Sequence, residues 1–208
     1  MRASVCRGRA AFVSRGVRCP EGTHALSFCM SQRMSRREFL EWAEAQPRGR
    51  FERVEGEVIA MAPERWIHAR LKAQIWEALK RGIKQTGVQC EAAPDGMTVE
   101  IDDDTDYEPD ALVNCGPPIP DDAIAAPNPM VIVEVLSPGT ASVDTGAKLA
   151  DYFRLASVHH YLLVRPTRRE VVHHRRVADG ILTQIVHEGV ILLDPPGIRL
   201  TLDEIYAA

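Results

Sequence analysis

The fold is decided by three phrases: YEPDALVNCG at 107–116, PNPMVIVEVLSPGT at 127–140 and SVDTGAKLADYF at 142–153. At their centre lies MVIVEVL, from Met130 to Leu136, an apolar run rich in β-branched residues and interrupted by one carboxylate, Glu134. Such a run predicts a strand covered on both faces. Alternation sets Ile132, Glu134 and Leu136 on one face and Val131, Val133 and Val135 on the other. A carboxylate buried there costs several kcal/mol unless a positive group pairs with it. That group can be a lysine or a metal cation. The upstream phrase brings a second acid, Asp110, behind Pro109, which suits a strand start. The downstream phrase brings Lys148, on a helix predicted over Asp144–Ala156. Two acids from neighbouring strands and one lysine make a compact site for a divalent cation and a water.

Moving outward, Trp66–Gln85 carries Ile67, Leu71, Ile75, Leu79 and Ile83 at i+4 spacing, the stripe of a long amphipathic helix. His68 flanks that stripe and reads as a packing or capping group. Phe51–Met61 reads as a hairpin turning at Glu55-Gly56. Ser35–Ala45 reads as a short helix with Ser35 and Glu38 as a capping box. Val88–Ala92 and Met97–Ile101 are predicted strands joined by a Pro94-Asp95-Gly96 turn. Asp102, Asp103, Asp104 and Asp106 read as a solvated acidic turn, and Tyr107–Asn114 as one strand. Prolines 117, 118, 120, 127 and 129 mark a surface loop before the central strand. Ser137–Thr140 stops that strand. His159–Val164, Arg168–Arg176 and Ile181–Val186 read as a β-meander, and Thr201–Ala207 as a closing helical turn. His173 and His174 are adjacent, so a strand points them to opposite faces and they cannot chelate together. With Arg168, Arg169, Arg175 and Arg176 they form a basic stripe, read as an edge strand protected by charge.

The 208 residues suit one domain, and the net charge of −4 gives no global basic footprint. A nucleic-acid partner must then be held by a local patch or through a metal. No apolar run reaches membrane length. Five cysteines without a C-x-x-C pair argue against structural zinc and for free thiols in a reducing cytoplasm. Arg2, Arg7, Arg9, Arg15 and Arg18 stand against Glu21 alone in the first thirty residues. This predicts a disordered basic extension over 1–33, ahead of one domain over 34–208. The chain has no P-loop, G-x-G-x-x-G or G-x-S-x-G.

The order of Pro109-Asp110, then VEVLSP at 133–138, then Asp144, Lys148 and Tyr152 in D-x-x-x-K-x-x-x-Y, resembles the Uma-two family of restriction-endonuclease-like proteins. That family lies within the PD-(D/E)xK nuclease superfamily. The resemblance extends through FERVEGEVIAM (Phe51 to Met61) and spans about Met34 to Tyr206. It implies an α/β fold, a restriction-endonuclease-like mixed central sheet flanked by helices, with an added C-terminal β-meander. It implies a metal-dependent endonuclease that hydrolyses DNA phosphodiester bonds. The implied cation is Mg²⁺ or Mn²⁺, on Asp110, Glu134 and the main-chain carbonyl of Val135. The implied catalytic set is Asp110, Glu134, Lys148 and Glu57. The superfamily lysine usually stands two residues after the second acid, where this chain has Leu136, so Lys148 reads as its migrated replacement. Glu57, after Gly56, matches a recurrent acid of the family. Glu52 matches another and reads as an exposed strand carboxylate. The family's acid, Trp and Asp of the C-terminal sheet are here His160, Leu162 and Arg165. DNA is the implied partner, with no membrane, and a homodimer is a possible assembly. Two other functions compete: a non-catalytic nucleic-acid-binding or scaffolding module of the same fold, and an unrelated metal hydrolase of small phosphate esters.

Overall fold

The computed structural model describes residues 33–136 and 144–207. The expected N-terminal extension, Arg33 apart, and the Ser137–Thr140 stop signal lie outside the described residues. The central run forms β7 (Pro129–Val135), and Val131, Ile132 and Val133 are fully buried. It pairs antiparallel with β6 (Ala111–Cys115) and parallel with β8 (His160–Arg165). β9 (Glu170–Val177) and β10 (Gly180–Val186) continue the sheet on one side, and β3 (Cys90–Pro94) closes the other. The order is β10-β9-β8-β7-β6-β3, a mixed six-stranded sheet. The expected meander therefore forms half of the central sheet. β10 holds the edge, so the basic strand β9 is interior. Its Arg176 turns back and donates to the carbonyls of Phe153, Leu155 and Val158.

Each face of the sheet has its own core. α2 (Trp66–Thr86) lays Leu71, Ile75 and Leu79 against Val131, Val133 and Val135, as its i+4 stripe requires. A hairpin of β11 (Val190–Leu193) and β12 (Ile198–Thr201) completes this layer, with α4 (Leu202–Ile205) behind a Thr201/Glu204 capping box. The helix and hairpin approach so closely that a Cβ on Gly82 would lie 2.5 Å from Ile198 Cγ2. On the other face, Leu112, Ile132, Tyr161 and Leu163 pack with Tyr152 of α3 (Asp144–Tyr152) and with Tyr107.

Tyr107 belongs to a second sheet of β2-β1-β5-β4. Its strands are β1 (Phe51–Val54), β2 (Glu57–Ala60), β4 (Val99–Glu100) and β5 (Asp106–Tyr107). α1 (Arg36–Glu44), capped by Ser35 and Glu38 as expected, precedes it. Two expectations change here. The strands on either side of Pro94-Asp95-Gly96 are Cys90–Pro94 and Val99–Glu100 rather than Val88–Ala92 and Met97–Ile101, and they lie in different sheets. The Tyr107–Asn114 strand is split at Glu108–Asp110 into β5 and β6, which likewise lie in different sheets. The chain crosses between sheets at both points, which brings Asp95 and Asp110 to one edge.

The acidic turn is not solvated throughout. Asp106 is 3% exposed and accepts from Arg36 and from Arg53, itself fully buried. Nor are all five cysteines free. Antiparallel register sets Cys90 opposite Cys115, and their sulfurs form a disulfide. No described helix is long and apolar enough to cross a membrane.

Candidate active site

β6 and β7 run side by side with Ala111 opposite Val133, so Asp110 and Glu134 meet at the same strand ends. Asp110 is buried, and its Oδ2 accepts the Val135 N–H at 2.7 Å. This bond holds the first acid against the backbone that follows the second. Glu134 points to the opposite side of β7 from Val133 and Val135, the side expected from alternation. There its Oε1 accepts from Tyr152 at 3.0 Å and from Lys148 Nζ at 3.2 Å. Burial pushes the Glu134 carboxyl up to about 7, against the pull of Lys148, and the charges of Asp110 and Glu52 add to the rise.

Lys148 comes from α3, with its aliphatic stem buried, and its ammonium also donates to Glu52 Oε1 at 2.8 Å. The ammonium lies 4.8 Å from the centre of the Tyr107 ring. Glu52 is thus no exposed strand carboxylate. It is 6% exposed, and the same oxygen accepts the Glu108 N–H at 3.1 Å. Glu57 is exposed on β2 opposite Val54, and none of the described side-chain hydrogen bonds or ion pairs joins it to Asp110 or Glu134. The acid that β1–β2 brings to the centre is Glu52. The fold selects it because β1, not β2, lies beside β5 and the Glu108 backbone.

A second buried lysine arrives from the other layer. Lys72 of α2 bridges Glu64 Oε1 at 2.5 Å and Asp95 Oδ2 at 2.7 Å, with Asp110 Oδ1 at 3.5 Å. Arg50 holds Asp95 at 2.6 Å and Glu108 at 3.1 Å. Burial alone would raise the Glu64 and Asp95 carboxyls, but hydrogen bonds from Lys72, with His68 at Glu64 and Arg50 at Asp95, leave both lowered. His68 Nδ1 faces Glu64 Oε1 at 2.5 Å, while its Nε2 faces the Val135 carbonyl oxygen and lies 3.7 Å from Asp110 Oδ2. Glu64, His68 and Asp110 each bring a ligand atom within 4.8 Å of the others.

The family model described as "Putative restriction endonuclease", Uma2, matches residues 36–203. The chain belongs to the Uma2 family. An uncharacterized Synechocystis protein, slr1290, is 27% identical over 177 residues, 84% of this chain and 92% of that protein. A solved structure from Anabaena variabilis, described as "a putative nuclease belonging to DUF820", aligns with TM-score 0.63 at 16% identity, covering 84% of this chain and 98% of that one. It shares the fold, a mixed sheet flanked by helices.

In this Uma2 protein the sequence led to Asp110, Glu134 and Lys148, which the fold brings together. It did not lead to Glu52, Glu64, Lys72 or Asp95. Two signals were available: the match of Glu52 to a recurrent acid of the family, and Lys72, a charge one residue beyond Leu71 on the buried side of α2. Of the acids that hold Lys72, Glu64 lies just ahead of α2, while Asp95 and Asp110 come from farther along the chain.

Proposed function

We propose that this Uma2 protein is a metal-dependent endonuclease that hydrolyses DNA phosphodiester bonds. The observation that carries the reading is the convergence of Asp110, Glu134 and Lys148 at the ends of β6 and β7, beside the Val135 carbonyl. The donor set fits a divalent cation: two carboxylates and a carbonyl are hard oxygen ligands, and Mg²⁺ or Mn²⁺ takes such ligands while keeping waters. Burial is the main cause of the rise at Glu134, and the nearby charges of Asp110 and Glu52 add to it; a cation between the acids would relieve both.

When bound, the cation would supply Lewis acidity and a lowered water pKa. Asp110 and Glu134 would hold it, with Asp110 kept in place by the Val135 N–H. Lys148, shared between Glu134 and Glu52, would donate to the attacking water or to a non-bridging phosphate oxygen as negative charge builds up. A compact ammonium on a flexible stem suits that task. The chain's net charge of −4 gives no overall positive field to hold DNA unaided, so binding would depend on the cation and on local groups.

The test is cleavage of supercoiled and linear duplex DNA by the full chain with Mg²⁺ or Mn²⁺, against Asp110→Asn and an EDTA control. Cation-dependent nicking lost in Asp110→Asn supports the reading. DNA binding without cleavage under any of these cations would favour the non-catalytic module.

A further inference from the structure

The sequence reads His68 as a packing or capping group, and the expected cation ligands do not include it. Its surroundings assign it another task. A carboxylate can only accept, so the Nδ1 that faces Glu64 Oε1 carries the hydrogen. Lys72 donates to the same Glu64 oxygen and fixes that carboxylate in place. A neutral imidazole so tethered presents a bare lone pair at Nε2. That lone pair faces the main-chain carbonyl oxygen of Val135, which also only accepts. Asp110 Oδ2 stands 3.7 Å away, a third electron-rich atom around the same corner. Asp110 Oδ2 is already served by the Val135 N–H, but a bare Nε2 against a carbonyl oxygen, with that carboxylate close by, needs something positive beside it. Either Nε2 is itself protonated, or the corner is a cation position.

We propose that His68 Nε2 is a nitrogen ligand to the cation held by Asp110 and the Val135 carbonyl, and that this ligand sets the site for Mn²⁺ over Mg²⁺. The inference rests on the proposed metal dependence and deepens it. Glu64 is then a positioning residue, accepting from the far nitrogen of the ligand ring as second carboxylates commonly do at histidine metal sites. Its own oxygen is already shared with Lys72. The preference follows from ligand chemistry. Mg²⁺ favours an all-oxygen octahedron, whereas Mn²⁺ takes the same carboxylate and carbonyl oxygens and, as a first-row transition ion, gains more than Mg²⁺ from one imidazole nitrogen among them. The position of His68 agrees: it sits in the first turn of α2, with its N–H donating to Arg65 O, so helix geometry rather than a loop aims the ring.

The experiment uses the full chain stripped with EDTA and titrated with Mn²⁺ or Mg²⁺ by calorimetry, with pulsed electron paramagnetic resonance of the Mn²⁺ complex. The expected result is a nitrogen modulation from one imidazole in the wild-type spectrum. His68→Ala should lose that modulation and bind Mn²⁺ ~10-fold or more weakly, while its Mg²⁺ affinity changes far less. Glu64→Gln should keep the modulation with Mn²⁺ affinity reduced by roughly 10-fold. A wild-type Mn²⁺ complex with no nitrogen signal would overturn the proposal, and this reading does not depend on any variant folding. An unchanged Mn²⁺ to Mg²⁺ affinity ratio in His68→Ala would overturn it too, and would make His68 an imidazolium hydrogen-bonded to Val135. The outcomes separate from those of the nuclease reading. An oxygen-only Mn²⁺ site that still cuts DNA sinks only the His68 assignment, whereas a nitrogen-ligated site that cuts nothing sinks only the activity.

Discussion

Lys148 and Glu52 lie 96 residues apart in the chain and meet at 2.8 Å in the interior. This contact changes what removal of the lysine must do. A lysine paired on the surface could be deleted for ~0.5 kcal/mol. Here Lys148→Ala leaves Glu52 and Glu134 facing each other with no ammonium between them. Breaking a buried pair typically costs 3–5 kcal/mol, on the order of which stability should fall in urea unfolding at neutral pH. Cleavage should fall ~100-fold or more if the ammonium stabilises the transition state. Lys148→Arg should restore part of the stability and little of the cleavage, because a planar fork does not replace a compact ammonium between two oxygens. Full cleavage by Lys148→Ala would remove it from the site.

Cation binding should stabilise the fold as well as activate it. At 100 times its dissociation constant, a ligand bound only by the native state adds ~2.7 kcal/mol. Millimolar Mn²⁺ should therefore raise the thermal midpoint of the wild type by several degrees. Asp110→Asn should abolish the increment, since it removes the charge while keeping one oxygen to accept from Val135 N–H. An equal rise in the variant would place the bound cation elsewhere.

How much of this was legible in the sequence depended on distance along the chain. The β7 alternation, the α2 stripe and the α1 cap are local patterns, and the structure keeps all three, with Ile67 at the start of the stripe left exposed. Glu52 was not legible. The family match pointed to it, but its face of β1 holds only Val54 besides, and its burial depends on a lysine from α3. The Asp102–Asp106 run looked solvated because the arginines that bury Asp106 stand 70 and 53 residues upstream. Turn chemistry at Pro94-Asp95-Gly96 marked a reversal correctly but could not say that the next strand joins another sheet. Cys90 and Cys115 acquire a partner only through the register of β3 on β6.

Arg53 is the sharpest case of such a tertiary contact. It is fully buried, donates to Asp106 Oδ2 at 2.8 Å and also satisfies the carbonyls of Met34 and Asp103. Arg53→Met fills similar volume but removes the donor to Asp106 Oδ2 and to both carbonyls. The loss should be on the order of 3–5 kcal/mol in chemical unfolding. Asp106 retains Arg36, so the cost should fall toward the lower end. A loss below ~1 kcal/mol would mean that water replaces the guanidinium.

Away from the acids, a buried pair of histidines makes the fold sensitive to pH. His160 on β8 and His173 on β9 are buried, and His160 Nδ1 lies 2.9 Å from His173 Nε2. His160 Nε2 donates to the Pro195 carbonyl at 2.9 Å. That bond fixes the tautomers: His160 carries its hydrogen on Nε2, so its Nδ1 accepts and His173 Nε2 donates. Both rings are neutral in this chain of bonds. Burial lowers both to about 4, and Arg175 adds to the depression of each. His159 further lowers His160, Asp194 partly offsets this, and His174 further lowers His173. In the unfolded chain a histidine titrates near 6.5. Above that value neither state binds the proton and the pair leaves stability unchanged. As pH falls from about 6.5 toward 4, the unfolded chain takes up protons that the native pair refuses, so stability is lost across that window. The loss is bounded at about 3 kcal/mol for each ring by the size of the shift. Urea unfolding from pH 7.5 to 5 should show this decline, and a His160→Gln, His173→Leu variant should flatten it, since glutamine can still donate to Pro195. An equally steep decline in that variant would assign the acid sensitivity to other groups.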